Sequence, residues 1–239
     1  FIYSWRPSDS YGFIKKSEII NTKNMSLKIE IIDGLINILP SGIELGTQQT
    51  MSNLANAYKV SEYIKNYNFG LYFLNALIMD TPKPGESLSA NVVWSYSKEN
   101  TKTSVNNKSI EQFLDKGIFN EYHNLKGKSG SFIIYLNESL ENKKKLEWYT
   151  VADVYKTQTE IISLFDRISN TSETKKILED DIANNHNNLK TFIASSDGFQ
   201  CTNNRINDMH HTANVTYNIL RGGIFANNYL VDKKKIIQF

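Results

Sequence analysis

The chain has 239 residues, of which 40% are hydrophobic and 12% aromatic, and this composition excludes an intrinsically disordered protein. Its 27 Lys and Arg residues against 25 Asp and Glu leave a net charge of +2, which gives no electrostatic reason to expect nucleic acid as a partner. A single cysteine excludes both an internal disulfide framework and a Cys-rich zinc site.

The first two-thirds of the chain carry the alternating pattern of β-strands. The strand-like runs are 27–31, 35–39, 69–79, 90–96, 131–136 and 146–155. The Asp33-Gly34 dipeptide predicts a turn between the first two runs, and within 90–96 the even-numbered residues share one face. Short strands separated by turn signals predict a large antiparallel β-sandwich over residues 1–155.

Helical periodicity replaces the strand pattern near residue 156. Thr157 with Glu160 forms a capping-box pattern. Ser109 with Gln112 forms another, which predicts a short helical insertion among the strands that ends at Gly117. Helical runs follow at 161–168, 170–196 and 207–220, and a last strand is predicted over 228–237. The Asn-rich stretch 184–188 leaves a break in the longest helix open. We therefore assign residues 156–239 to a helical linker and C-terminal extension.

Motifs that would indicate catalysis are missing from the sequence, which has no Gly-rich phosphate loop, no HExxH and no nucleophile elbow. His210 and His211 point about 100° apart on a helix, so they cannot bind one metal ion together. Cys201 lies in an uncharged local setting that would not activate its thiol. We predict no catalytic residue, no metal site and no cofactor.

Contact with carbohydrate is the function that the remaining residues suggest, because aromatic rings complement the apolar C–H faces of sugars. Trp5 and Arg6 precede a predicted turn, and Tyr11 follows it. His123 is the one histidine within the strand-rich part, whereas Trp94 is predicted to be buried on its strand face. The candidate carbohydrate-binding residues are therefore Trp5, Arg6, Tyr11 and His123.

Several sequence strings occur in a characteristic order along most of the chain. They are SWRPSD at 4–9, DGLINILPSG at 33–42, SANVVWS at 89–95, HTANV at 211–215 and LRGGIF at 220–225. This set resembles the N-terminal region of large bacterial proteins related to cellobiose phosphorylases and other glycoside phosphorylases. The resemblance implies a supersandwich of the galactose-mutarotase type, joined by linker helices to an (α/α)6 barrel that holds the catalytic residues.

From this resemblance we expect a fragment of a carbohydrate-active enzyme that is inactive alone. Its expected partners are the missing C-terminal catalytic domain, an oligosaccharide and a second copy in a homodimer, with no nucleic acid and no membrane. The expected compartment is the cytoplasm, with the periplasm left open. Two alternatives remain. A free-standing carbohydrate-binding module would need a groove lined with exposed aromatic rings, and a mutarotase-like enzyme would need a histidine and a carboxylate converging in a cleft.

Overall fold

A computed structural model describes residues 1–78, 85–169, 171–223 and 233–237. The strands are β1 (Ile2–Ser8), β2 (Gly12–Ile20), β3 (Leu27–Ile38), β4 (Lys59–Ile64), β5 (Phe69–Leu74), β6 (Ser89–Ser97), β7 (Lys102–Ser104), β8 (Asn124–Lys126), β9 (Gly130–Leu140) and β10 (Lys145–Thr157). The α-helices are α1 (Leu45–Thr50), α2 (Ser52–Tyr58), α3 (Lys108–Lys116), α4 (Gln158–Ile168), α5 (Thr171–Ser195), α6 (Arg205–Gly222) and α7 (Lys233–Ile237).

The strands form two antiparallel sheets. The large sheet has seven strands in the order β1-β2-β10-β6-β5-β4-β8, and the small sheet has three in the order β3-β9-β7. Every pairing is antiparallel, and β10 joins β2 to β6. The expected sheet-rich antiparallel fold is present, but helices cover about as many of the described residues as strands do.

One apolar core among the described residues contains side chains from both sheets. Its buried members are Tyr72, Val93, Leu146 and Trp148 from the large sheet and Phe132, Ile134, Leu136 and Leu140 from the small sheet. We call the face of the large sheet that carries Trp148 the inner face. Complete burial of a large apolar side chain stabilises the fold by about 1.5–3 kcal/mol, so this core is a principal source of stability.

The opposite, outer face of the large sheet lies against helices. The ring of Phe165 in α4 stacks on Tyr67 with 4.2 Å between centroids and meets Phe69 edge-on at 4.9 Å. Trp94 is only 2% exposed and lines a narrow gap with Leu178 of α5. The predicted burial of Trp94 is thus confirmed, and helices supply the cover.

The predicted turn at Asp33-Gly34 is wrong, because β3 runs through both residues without interruption. Asp33 pairs with Ile134 and Gly34 with Ile133 in the neighbouring strand β9. A Cβ atom on Gly34 would lie 1.9 Å from the carbonyl oxygen of Phe132. Glycine at this position therefore permits a close approach of two strands rather than a change of chain direction.

The capping box at the start of α4 is confirmed. The Thr157 hydroxyl accepts a hydrogen bond from the backbone N–H of Glu160, and the Glu160 carboxylate accepts one of 2.8 Å from the backbone N–H of Thr157. Because both partners lie within four residues, this helix start is fixed by local sequence alone.

The second predicted capping box is wrong. Helix α3 begins at Lys108 with Asn107 at the N-cap position, so Ser109 lies inside the helix. The Ser109 hydroxyl is buried and donates a 2.6 Å hydrogen bond to the carbonyl oxygen of Asn120. The serine therefore anchors a loop to the helix and does not start the helix.

The C-terminal part of the described chain is helical. Helix α5 runs unbroken through 184–188, and α7 occupies 233–237, where a strand was predicted; 228–232 lies outside the described residues. The chain divides into two compact units, residues 1–179 and 180–239, and the division falls within α5. The predicted domain boundary near residue 156 rests on the change from strand to helix periodicity in the sequence, and it stays a prediction.

Candidate functional site

Three aromatic side chains lie exposed in a row along one face of β1. Phe1 precedes the strand, and Tyr3 and Trp5 follow at the two-residue spacing that places them on the same face. Their exposed fractions are 68%, 57% and 45%, and the rings of Phe1 and Tyr3 stack with centroids 5.7 Å apart. We call these three residues the aromatic row. Exposed large aromatics in a contiguous set are typical of binding surfaces.

The aromatic row continues the inner face of the large sheet out to its edge. Trp5 pairs with Lys15 and Tyr3 with Ser17, and Ser17 pairs in turn with the buried Trp148. Directly paired residues in antiparallel strands share a face, so the row and Trp148 point the same way. Because β1 is the edge strand, its inner-face side chains extend beyond the buried core.

A polar cluster centred on Asp33 of the small sheet borders the aromatic row. The Asp33 carboxylate forms an ion pair with the ammonium group of Lys15. It also accepts hydrogen bonds from Trp148 Nε1–H at 2.7 Å, Ser17 Oγ–H at 3.3 Å and the backbone N–H of Gly34 at 2.9 Å. The carboxylate is therefore held in one orientation by four donors.

Lys15 connects this polar cluster to the aromatic row. Its Nζ atom lies 5.5 Å from the centroid of the Tyr3 ring and 6.0 Å from that of Trp5, within the range of a cation–π interaction. The ammonium group thus orients two exposed rings while its charge is neutralised by Asp33. The resulting surface combines apolar ring faces with fixed polar groups and carries no net charge from this pair.

The structure does not bring the four predicted site residues together. Trp5 belongs to the aromatic row, but Arg6 points to the other face of β1, where its Nε–H donates a 3.4 Å hydrogen bond to Ser4. Tyr11 is buried and contacts Trp94 edge-on at 6.1 Å. His123 precedes β8, at the opposite edge of the large sheet and on the order of 30 Å away across six strand spacings.

Sequence reasoning missed Phe1, Tyr3, Lys15 and Asp33 as members of this surface. The signal for the first two was present, because Phe1, Tyr3 and Trp5 alternate with other residues at a period of two. No local signal identifies Lys15 and Asp33, since their approach depends on the packing of one sheet on the other.

A separate cluster of charges lies on the outer face, around Glu147 of β10. Its carboxylate pairs with Lys145 at 2.8 Å, with Lys16 at 3.3 Å and with Lys175 of α5. Burial raises the pKa of the Glu147 carboxyl, but hydrogen bonds from Lys145 and Lys175 and the charge of Lys16 outweigh this effect and lower the pKa to about 2. Lys16 also pairs with Glu179 at 3.1 Å. The cluster fastens the first half of α5 to the sheet.

The histidine pair and the cysteine lie in the second compact unit. His211 donates from Nε2–H to the carbonyl oxygen of Asp197 at 2.8 Å, while His210 and Cys201 are exposed. Within the described residues, no group of three or more His, Cys, Asp or Glu side chains is placed to hold a metal ion. No helix in the described ranges combines the length and apolarity that crossing a membrane requires.

Compared with models of known protein families and with curated protein sequences, the chain shows no significant match.

Proposed function

We propose that this chain is a non-catalytic, sheet-rich domain of a carbohydrate-active enzyme that resembles glycoside phosphorylases, and that it contacts an oligosaccharide through the aromatic row. One observation carries the proposal. The exposed rings of Phe1, Tyr3 and Trp5 lie side by side next to the neutral Lys15–Asp33 ion pair.

The chemistry of this surface suits a neutral sugar chain. Aromatic faces offer apolar contact to the C–H faces of sugar rings, while fixed polar groups at the border can bond their hydroxyls. The Tyr3 hydroxyl and the Trp5 indole N–H have no hydrogen-bond partner among the described residues, so both can serve a ligand. A charged ligand would gain little, because Lys15 and Asp33 neutralise each other.

Titration of the purified chain with soluble oligosaccharides tests this proposal. We expect Trp5→Ala and Tyr3→Ala each to weaken binding about tenfold, which corresponds to about 1.4 kcal/mol. The matched control is Ile2→Ala, because Ile2 is 57% exposed on the opposite face of the same strand. The proposal is wrong if the unmodified chain binds no oligosaccharide, or if the control weakens binding as much as the ring deletions.

We further propose the architecture of the whole enzyme to which this domain belongs. In it, a mutarotase-like sandwich over residues 1–155 supports an (α/α)6 catalytic barrel and contributes to a homodimer, and residues 156–239 link the two domains. The chain alone should then release no glucose 1-phosphate from cellobiose and phosphate. If the purified chain catalyses phosphorolysis, and heat denaturation of the chain abolishes this activity, the assignment of catalysis to the barrel is wrong.

A mutarotase-like activity is the second candidate, because a histidine and a carboxylate do meet near β8. The Nε2 atom of His123 lies 3.9 Å from the Glu121 carboxylate, and this buried nitrogen has no hydrogen-bond partner among the described residues. The His123 ring also lies 5.1 Å from that of Tyr63. Polarimetry of freshly dissolved glucose tests this activity. If His123 is catalytic, the chain should accelerate the exchange of glucose anomers over the uncatalysed rate, and His123→Ala should abolish the acceleration.

A further inference from the structure

A cavity of about 360 Å³ opens within the first compact unit, away from the aromatic row. It lies between the β1–β2 turn, the end of β10 and helix α4. We call it the polar cavity, because charged and hydroxyl side chains form most of its lining. Its volume falls within the range of about 300–1,000 Å³ that is typical of small-molecule sites.

Most charges in the polar cavity are already paired within the protein. Lys156 and Asp153 form an ion pair of 2.7 Å on β10, at the point where the strand register shifts. The register shift between Asp153 and Lys156 is a β-bulge, and β-bulges re-aim side chains and are enriched beside functional sites. Glu160 is committed to the capping box at the start of α4.

Two charged groups in the polar cavity remain unpaired. Asp9 and Arg167 are both exposed, and neither side chain has a hydrogen bond or ion pair within the described ranges. The cavity therefore presents one strong acceptor and one fork of strong donors to a ligand. The hydroxyls of Ser10 and Ser163 lie on the same lining and add groups that can donate and accept.

An aromatic pair closes the inner end of the polar cavity. Trp94 and Tyr11 are 2% and 6% exposed, and their rings meet edge-on at 6.1 Å. Both rings pack against helices α4 and α5 rather than against the inner-face core, so this end of the cavity is fixed and apolar. A ligand that fills the cavity must therefore combine hydroxyls with an apolar C–H surface.

We propose that the polar cavity binds a neutral, polyhydroxylated molecule of monosaccharide size. A hydroxyl group both donates and accepts, so one such ligand can satisfy Asp9 and Arg167 together. An inorganic phosphate would pair with Arg167 but be repelled by Asp9 and Glu160, whereas the charge of Asp153 is balanced by Lys156. This inference rests on the residues of the cavity and does not depend on the aromatic row.

Nuclear magnetic resonance titration, with the Trp94 indole resonance as reporter, tests this inference on the full chain. The probes are glucose, galactose, xylose and myo-inositol, with inorganic phosphate and glycine as charged comparators. We expect saturable binding of at least one neutral probe and a loss of at least tenfold in affinity for Arg167→Ala and for Asp9→Ala. The controls are Arg205→Ala and Asp115→Ala, because both residues are exposed and neither is among the residues that line the cavity.

The thermal midpoint separates loss of a contact from loss of the fold, and it should be the same in all four variants. Binding of phosphate or glycine without binding of any neutral probe would overturn the inference. So would an affinity that Arg167→Ala and Asp9→Ala leave unchanged. Trp5→Ala should not alter affinity at the polar cavity, so failure of this inference and failure of the proposed oligosaccharide surface are distinguished.

Discussion

The indole Nε1–H of Trp148 donates a 2.7 Å hydrogen bond to Oδ2 of Asp33, and this bond joins the large sheet to the small one. Both side chains are buried or nearly so, and the same carboxylate neutralises Lys15 beneath the exposed rings of β1. The core of the fold and the candidate binding surface therefore share one polar anchor. Substitutions at this anchor should affect both stability and binding.

Replacing the Asp33 carboxylate with an amide should destabilise the first compact unit by about 2 kcal/mol, because the nearly buried Lys15 ammonium loses its counter-charge. Urea unfolding followed by tryptophan fluorescence measures this effect, since all three tryptophans lie within residues 1–179. The control Asp115→Asn, on the exposed surface of α3, should stay within about 0.5 kcal/mol of the unmodified chain. The double variant Asp33→Asn with Lys15→Met should recover part of the lost free energy of unfolding, because no unpaired charge remains. If Asp33→Asn and Asp115→Asn are equally stable, this account is wrong.

The charge cluster around Glu147 predicts a specific loss of stability in acid. The pKa of Glu147 is about 2 in the folded chain and 4.5 for the unperturbed carboxyl, so the unfolded chain binds the proton more tightly. The contribution of this group is complete above about pH 4.5 and disappears as the pH falls toward 2. We expect about 2 kcal/mol after allowance for solvent screening. Glu147→Gln should remove this part of the pH dependence, and the matched control is Glu141→Gln, because Glu141 is exposed and lies outside the cluster.

Gly34 should be among the least replaceable residues of the chain. Gly34→Ala would place a Cβ atom 1.9 Å from the Phe132 carbonyl oxygen, so two paired strands must separate locally. We expect at least about 3 kcal/mol of destabilisation or failure to fold. The matched control is Gly46→Ala in α1, where the added methyl group meets nothing within 4 Å and should raise helix stability by up to about 1 kcal/mol. Equal expression and thermal midpoints for the two variants would show that the strand pairing here is wrong.

The capping box predicts a graded effect at Thr157. Thr157→Ala removes the acceptor for the Glu160 backbone N–H and should lower the free energy of unfolding by about 1 kcal/mol. Thr157→Ser keeps the hydroxyl and should retain most of the stability. Amide hydrogen exchange at the first turn of α4 measures the same effect locally, and protection unchanged in the alanine variant would contradict it.

The features that sequence predicted well are those set by neighbours along the chain. The Thr157–Glu160 capping box and the stop of α3 at Gly117 depend on a few consecutive residues. The shared face of the even-numbered residues in β6 follows from strand periodicity alone. These elements were correctly located because no distant contact overrides the local preference.

The features that sequence predicted poorly are decided by pairing partners. Asp33-Gly34 has the composition of a turn, yet ladder bonds to Ile134 and Ile133 keep the chain extended. The same applies to the candidate surface, because Trp5 was identified but its neighbour Lys15 becomes adjacent only through the β1–β2 register. Arg6 and His123 were grouped with Trp5 by residue type, and the sheet places them on another face and at another edge.

The position of β10 in the large sheet also determines when the protein can fold during synthesis. Strand β2 pairs with β1 on one side and with β10 on the other. Because Ile20 pairs with Lys145, the second of these neighbours is synthesised 125 residues after β2. At a synthesis rate of about 5–20 residues per second, this interval is on the order of 10 s. Throughout it, the β1–β2 hairpin with its exposed rings has been synthesised while β10 has not, so this edge of the large sheet can be completed only late in synthesis of the chain.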